Sequence, residues 1–288
     1  MSSILSPILS PIFGHDYLLT VLTKPLIEVT LIGILAGLVG TIALLTRHIF
    51  FSESITHSTF PGAVLGVVIA GNSPLAIYGG AALMCIPFSW LMHRLAKVRG
   101  LTTQAAAAIV LTFGFALGYF LNKWFAPLPV KVDSFLSGSL LSVSSTDLMM
   151  AATVLVLVIV ALLQFGSRLI AFAFEPESLP RMRPLVLVMI VATVVIMIPA
   201  VGTILSLALL VAPAAIARML VSNYKTMFLI APIIGVLIGL VGLFISVQWD
   251  LSSGGSITVF AGVAYVLVKL CTEIRARLGA RIASSTTA

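Results

Sequence analysis

Glu53 and His57 stand four residues apart within an otherwise apolar stretch, 48–71, that is long enough to cross a bilayer. At i and i+4, a carboxylate and an imidazole share one face of a helix. Ionisable side chains are rare at membrane depth, where each costs roughly 2.5–3.5 kcal/mol on insertion scales, and those found there mark ion or proton paths by default. A carboxylate oxygen beside an imidazole nitrogen is a hard, mixed donor set suited to a divalent transition metal. Ser52, Ser54, Thr56, Ser58 and Thr59 surround the pair in sequence, so its environment is expected to be polar, and Pro61-Gly62 is expected to interrupt the helix and free backbone carbonyls. The structural alternative is an ion pair of Glu53 with His57 or an arginine that ties helices together.

The elements that must hold such a pair follow from composition. Only 9% of the 288 residues are charged, against about 25% in a soluble domain, and mean hydropathy is +1.21. That is too little polar surface to cover a water-soluble globule, so the fold class is all-α, a polytopic transmembrane helical bundle of eight or nine spans. The apolar segments run over 26–46, 48–71, 74–92, 101–122, 147–166, 185–200, 202–221, 226–247 and 256–271. Of the 16 Lys and Arg residues, all but Lys24, Lys123 and Lys131 fall at alternate ends of these segments. The positive-inside rule puts that majority in the cytoplasm, which with nine spans leaves the N-terminus outside and the C-terminus inside. The expected organisation is an extracytoplasmic segment 1–25, a transmembrane domain 26–271 and a cytoplasmic tail 272–288.

Several function classes drop out. The basic residues are scattered among segment ends without interleaved aromatics, so no nucleic-acid partner is expected. No GxxxxGK[ST] loop is present, nor a soluble segment able to hold one, so ATP hydrolysis would need a separate subunit. No HExxH accompanies His57, which weakens an intramembrane metalloprotease, and the chain is expected not to be an enzyme. Cys85 and Cys271 form neither a CxxC nor a zinc spacing and read as small hydrophobes. No basic n-region opens the chain, so no cleavable signal is expected.

Other polar positions carry weaker signals. Residues 135–144 are rich in small side chains and precede Asp147, for which Ser145 or Thr146 is the expected helix cap; a re-entrant element at the outer mouth is the alternative. Residues 174–183 mix acids and bases as a cytoplasmic connection or a docking element for a motor subunit. Asp250 reads as an outer turn, and His15, His48 and His93 as surface or turn residues. Gly33/Gly37, Ala36/Gly40 and Gly235/Gly239 allow close helix approach, within the bundle or at a dimer seam.

At these residues the chain resembles the permeases of bacterial ABC importers for manganese, zinc and ferrous iron. The family's Asp-Ala-x-Ser-His-x-x-x-Pro-Gly is similar to Glu53-Ser-Ile-Thr-His57-Ser-Thr-Phe-Pro61-Gly62, with glutamate for aspartate and Thr56 for serine. Its Phe-Leu-x-Gly-Ser-Leu-Leu-x-Val-Ser matches 135–144, and its Val-Gly-x-x-Leu-x-x-Ala-Leu-Leu-x-x-Pro-Ala-Ala-x-Ala-Arg matches 201–218, through Pro213 and Arg218. A late Ser-Gly-Gly is also shared. The family's cytoplasmic Asp-Pro-Glu-x-Ala-x-x-x-Gly has become Glu175-Pro-Glu177-Ser-Leu-Pro-Arg, without its first aspartate, alanine and glycine.

The resemblance implies a multi-pass permease in the bacterial plasma membrane, working with cytoplasmic ATP-binding subunits, an extracytoplasmic metal-binding solute protein and a second permease copy. No permanently bound cofactor is implied; the transported ion is the cargo. Glu53 and His57 are the implied metal contacts, lining a pore between the two copies. Carboxylate plus imidazole without thiolate favours manganese, with zinc or ferrous iron as alternatives. The rival readings are a proton-coupled secondary transporter using the same pair as a relay, and a permease for a metal chelate.

Overall fold

The computed structural model describes residues 16–71, 73–128 and 138–286. Among them the chain forms nine α-helices and no strand: α1 (Asp16–Leu45), α2 (Ile49–Ala70), α3 (Pro74–Leu95), α4 (Thr103–Trp124), α5 (Ser145–Phe174), α6 (Arg183–Val201), α7 (Thr203–Leu220), α8 (Tyr224–Trp249) and α9 (Ser253–Thr286). Short 3₁₀ turns occupy Leu140–Ser142 and Pro180–Met182. Each of the nine apolar segments has become one helix. Seven described helices are long and apolar enough to cross a membrane; α2, with its acid, histidine and run of hydroxyls, and α7, whose apolar part is shorter, are not among them.

Helix starts follow local chemistry. Pro74 opens α3, where its missing N–H is harmless. Thr102 caps α4 by accepting from the Ala105 amide at 3.1 Å, and Asn223 caps α8 by accepting from Lys225 at 2.9 Å. Pro25, Pro61, Pro87, Pro213 and Pro232 lie inside helices, as a bundle tolerates when neighbouring helices surround the break.

Helix α1 is the hub of the bundle, packing on α8, α7, α5 and α6. Its small residues allow the closest approaches: a Cβ on Gly37 would sit 2.3 Å from Pro232 N, and one on Gly40 1.9 Å from the Leu210 carbonyl oxygen. The Gly33 and Gly235 backbones meet in the same way, so these small residues serve packing within the chain. A second unit is α2 clasped between α3 and α4, with α6 and α7 behind it. A Cβ on Gly62 would lie 2.3 Å from the Gly80 carbonyl oxygen, and one on Gly66 2.2 Å from that of Ala76. Across α4, Gly118 takes the ring of Phe60 and Gly114 lies against Ser58. Leu83, Ile86, Trp90, Leu163 and Val259 remain exposed on the outside, the surface a bilayer would cover.

Candidate metal site

Between Phe51 and Val64 every residue of α2 is buried except two, Glu53 and His57. The reason is geometric. α3 and α4 close on both flanks of α2 through glycine contacts, and the helical period sets Phe50, Glu53 and His57 on the stripe between them. Farther along that stripe Phe60, Pro61 and Val64 are buried again, Phe60 with its ring centroid 6.0 Å from that of Phe115. The open part is therefore about one helical turn long, and the acid and the imidazole fill it.

Nδ1 of His57 lies 3.1 Å from the Glu53 carbonyl oxygen. A carbonyl only accepts, so Nδ1 carries the proton, and in the neutral imidazole Nε2 presents its lone pair. The ring meets Phe115 edge-on with centroids 5.9 Å apart. One backbone acceptor and one aromatic wall thus orient the ring, as outer-shell groups do around metal ligands. Among the described residues no group of three or more His, Cys, Asp or Glu comes together. One copy of the chain accordingly offers one carboxylate and one imidazole nitrogen.

Two expectations about this run are corrected. The hydroxyls do not form a polar lining around Glu53 and His57. Ser52, Ser54, Thr56, Ser58 and Thr59 are fully buried, and they donate to backbone carbonyls, as Thr56 does to Ser52 and Ser58 to Ser54, each at 2.7 Å. Ser54 also reaches the Ala107 carbonyl of α4 at 2.8 Å, so its polarity joins helices. Nor does Pro61-Gly62 interrupt α2, which runs unbroken to Ala70. Lacking an N–H, Pro61 removes only the helical donor for the His57 carbonyl.

Asp147 is a cap partner. The expected caps, Ser145 and Thr146, are first-turn residues; Ser144 is the N-cap, because its extended backbone lets Oγ accept from the Asp147 amide at 3.2 Å while Asp147 Oδ2 accepts from the Ser144 amide at 2.8 Å. The other carboxylate oxygen, Oδ1, accepts from the Tyr78 hydroxyl at 2.6 Å. Glu28 on α1, only 1% exposed, lies within electrostatic reach of both Asp147 and Tyr78. Sequence reasoning passed over Glu28, although a lone acid inside an apolar segment is the same signal that singled out Glu53.

The remaining motifs converge. Residues 135–137 lie outside the described residues, but Gly138 adopts φ +72, and a Cβ there would fall 2.3 Å from the Val201 carbonyl carbon. The Leu140 amide donates to Ser253 Oγ at 3.4 Å. Three stretches far apart in sequence, 138–144, the 201–218 motif at its Val201-Gly202 start and the Ser-Gly-Gly at 253–255, thus meet at one junction. The connection 175–181 is largely exposed, with Ser178 donating to Glu175 at 3.0 Å. His15 lies outside the described residues.

A family model described as the ABC 3 transport family matches residues 19–272, which include the α2 stripe and every motif above. The chain belongs to the ABC 3 transport family. Similar proteins include the manganese transport system membrane protein MntC of Halalkalibacterium halodurans, 25% identical over 263 residues that span 89% of this chain and 87% of that protein. The zinc transport system membrane protein TroC of Treponema pallidum is 28% identical over 253 residues, 83% of this chain and 85% of TroC. A chain in the solved structure of PsaBC from Streptococcus pneumoniae in complex with Fab matches with a TM-score of 0.77 at 24% identity, covering 86% of this chain and 90% of that one, a likeness of fold. The ABC 3 bundle is thus a multi-pass membrane protein whose relatives are membrane components of metal transport systems.

Proposed function

We propose that this ABC 3 protein is the permease subunit of an ATP-driven divalent-metal importer, and that Glu53 and His57 touch the ion as it crosses. The observation that carries this reading is the one-turn opening on α2, where the run 51–64 is buried except at Glu53 and His57, which stay partly exposed on one stripe. Two ligands from one copy hold a cation weakly. A second copy placed against the same stripe would raise the set to two carboxylates and two imidazoles, enough to strip water from an ion yet still release it. Manganese is the proposed cargo: hard oxygen plus imidazole without thiolate suits it, and a relative is named for manganese transport. Zinc binds any such site more tightly by the Irving–Williams order, and TroC is named for zinc, so cargo choice rests on supply and geometry.

The partners follow from what the chain lacks. With no phosphate-binding loop of its own, it would draw energy from cytoplasmic ATP-binding subunits, docked at 174–183 and neighbouring inner loops, and receive metal from an extracytoplasmic binding protein. ATP binding would switch the two copies between outward- and inward-open states. The proposed topology places 1–25 outside and 272–288 in the cytoplasm of a bacterial plasma membrane.

The test is cellular metal content, measured by mass spectrometry in a strain lacking this chain and complemented with wild type, Glu53→Ala or His57→Ala, with membrane levels followed by immunoblot. Manganese restored only by wild type, at equal membrane abundance, is the expected result. Full restoration by both variants would remove the pair from the mechanism.

A further inference from the structure

A cavity of about 380 Å³ opens where α2, α4 and α6 begin and α3 ends. Its polar lining includes Arg47, His48, His93, Thr103, Gln104 and Arg183, and no Asp or Glu contributes to it. Among the described residues neither arginine has a carboxylate within ion-pair distance, the one such pair being Lys269–Glu273. The Arg183 charge reaches both imidazoles, and Nδ1 of His48 is buried without a hydrogen-bond partner. Neither α2 nor α6 has a side-chain cap, so first-turn amides and the positive ends of those helices add to the same field. Arg47 is held at φ +59, a left-handed conformation unusual for a residue with a side chain, at the cavity rim. Like charges gathered around a cavity with no internal counter-charge suit an anion.

The positive-inside bias accounts for arginines in these connections, but not for a cavity that collects two of them with two imidazoles, three hydroxyls and an amide while excluding every acid. Its size is within the roughly 300–1,000 Å³ of organic ligand pockets. The depth is that of the membrane interface: Trp90, 59% exposed, carries the Arg94 guanidinium 5.1 Å above its ring, and Ile86 continues an apolar outer face of α3 one turn away.

We propose that this cavity binds a phosphate ester, its phosphate held by Arg47 and Arg183 with the two histidines and the Thr103–Gln104 turn around it. The adjoining Ile86–Trp90 face favours an anionic membrane phospholipid as the source, its acyl chains lying along α3; a soluble phosphate ester would present the same group. The site is separate from Glu53 and His57 and does not depend on which metal is carried; through Arg183, the last residue of 174–183, it would border the proposed contact with the ATP-binding subunits.

The test uses the purified full-length protein in detergent and follows Tm against added phosphatidylglycerol, phosphatidylcholine or glycerol phosphate. Phosphatidylglycerol is expected to raise the wild-type Tm. Arg47→Gln and Arg183→Gln should each move the midpoint about tenfold higher in lipid, as expected for loss of a charge-assisted hydrogen bond. Arg275→Gln with Arg277→Gln, exposed on α9, should leave it unchanged. Stabilisation by glycerol phosphate with the same two-arginine dependence supports the phosphate site and assigns it a soluble ligand. Equal loss in the α9 variant, equal stabilisation by phosphatidylcholine, or an undiminished phosphatidylglycerol shift in both cavity variants would overturn the proposal. Each shift is read against that variant's own lipid-free Tm, so a less stable variant still reports.

Discussion

The Tyr78 hydroxyl donates a 2.6 Å hydrogen bond to Oδ1 of Asp147, tying α3 to the capped start of α5. α3 in turn packs on α2 through Gly80 and Gly62, so the helix that carries Glu53 and His57 is linked to a cap 90 positions further along the chain.

Tyr78→Phe should therefore lower stability by roughly 1.5–3 kcal/mol, the worth of a hydrogen bond to a charged group. Asp147→Ala should cost more, because it removes the tyrosine's acceptor together with the Oδ2 that accepts from the Ser144 amide, leaving only the half of the capping box in which Ser144 Oγ accepts from the residue 147 amide. Thermal unfolding of the detergent-purified protein checks both, and equal Tm values for wild type and Tyr78→Phe would contradict the link.

Gly62→Ala should be damaging where Gly79→Ala is harmless. The first would place a methyl 2.3 Å from a backbone carbonyl of α3, whereas a Cβ at Gly79 meets nothing within 4 Å. Overpacking of this kind costs about 1–3 kcal/mol, while alanine for glycine in an open helix position gains about 1 kcal/mol. Tm and membrane yield of the two variants, measured side by side, decide the matter.

Under the proposed function, Glu53→Gln should abolish manganese uptake, since it keeps shape and removes charge. Glu53→Asp should keep uptake but change the preference between manganese and zinc, because one methylene fewer draws the carboxylate back from the cation. Competition of zinc against manganese in whole-cell uptake is the measurement. Wild-type uptake by Glu53→Gln would contradict a ligand role for the carboxylate.

Arg47→Gly should stabilise the lipid-free protein by about 1 kcal/mol relative to Arg47→Ala. The positive φ of the α1–α2 turn is strained for any side chain and free for glycine. A Tm for Arg47→Gly no higher than that of Arg47→Ala would show that the turn relaxes without it.

Much of the bundle was legible because a bilayer imposes local rules. A spanning helix must be apolar over its own length, so 101–122 and 226–247 were found within two residues of α4 and α8. Where a helix leaves the hydrocarbon that rule ends, and α5 runs eight residues past its expected end at 166 through Arg168 to Phe174. The shared face of Glu53 and His57 was likewise local, a consequence of 3.6 residues per turn.

What only the tertiary structure decided is which face looks where. Ser54 was as good a lining residue as any until α4 placed the Ala107 carbonyl beside it, and the outward stripe of α2 exists because Gly62 and Gly114 let α3 and α4 cover its other sides. Glu28 joined Asp147 and Tyr78, and Arg47 joined Arg183, through contacts between helices distant in sequence. Residue types and their spacing determined the chemistry available to this chain, since donor atoms and helical period are local properties. The packing of the described helices decided which of those donors stay partly exposed, because exposure belongs to the neighbours of a side chain.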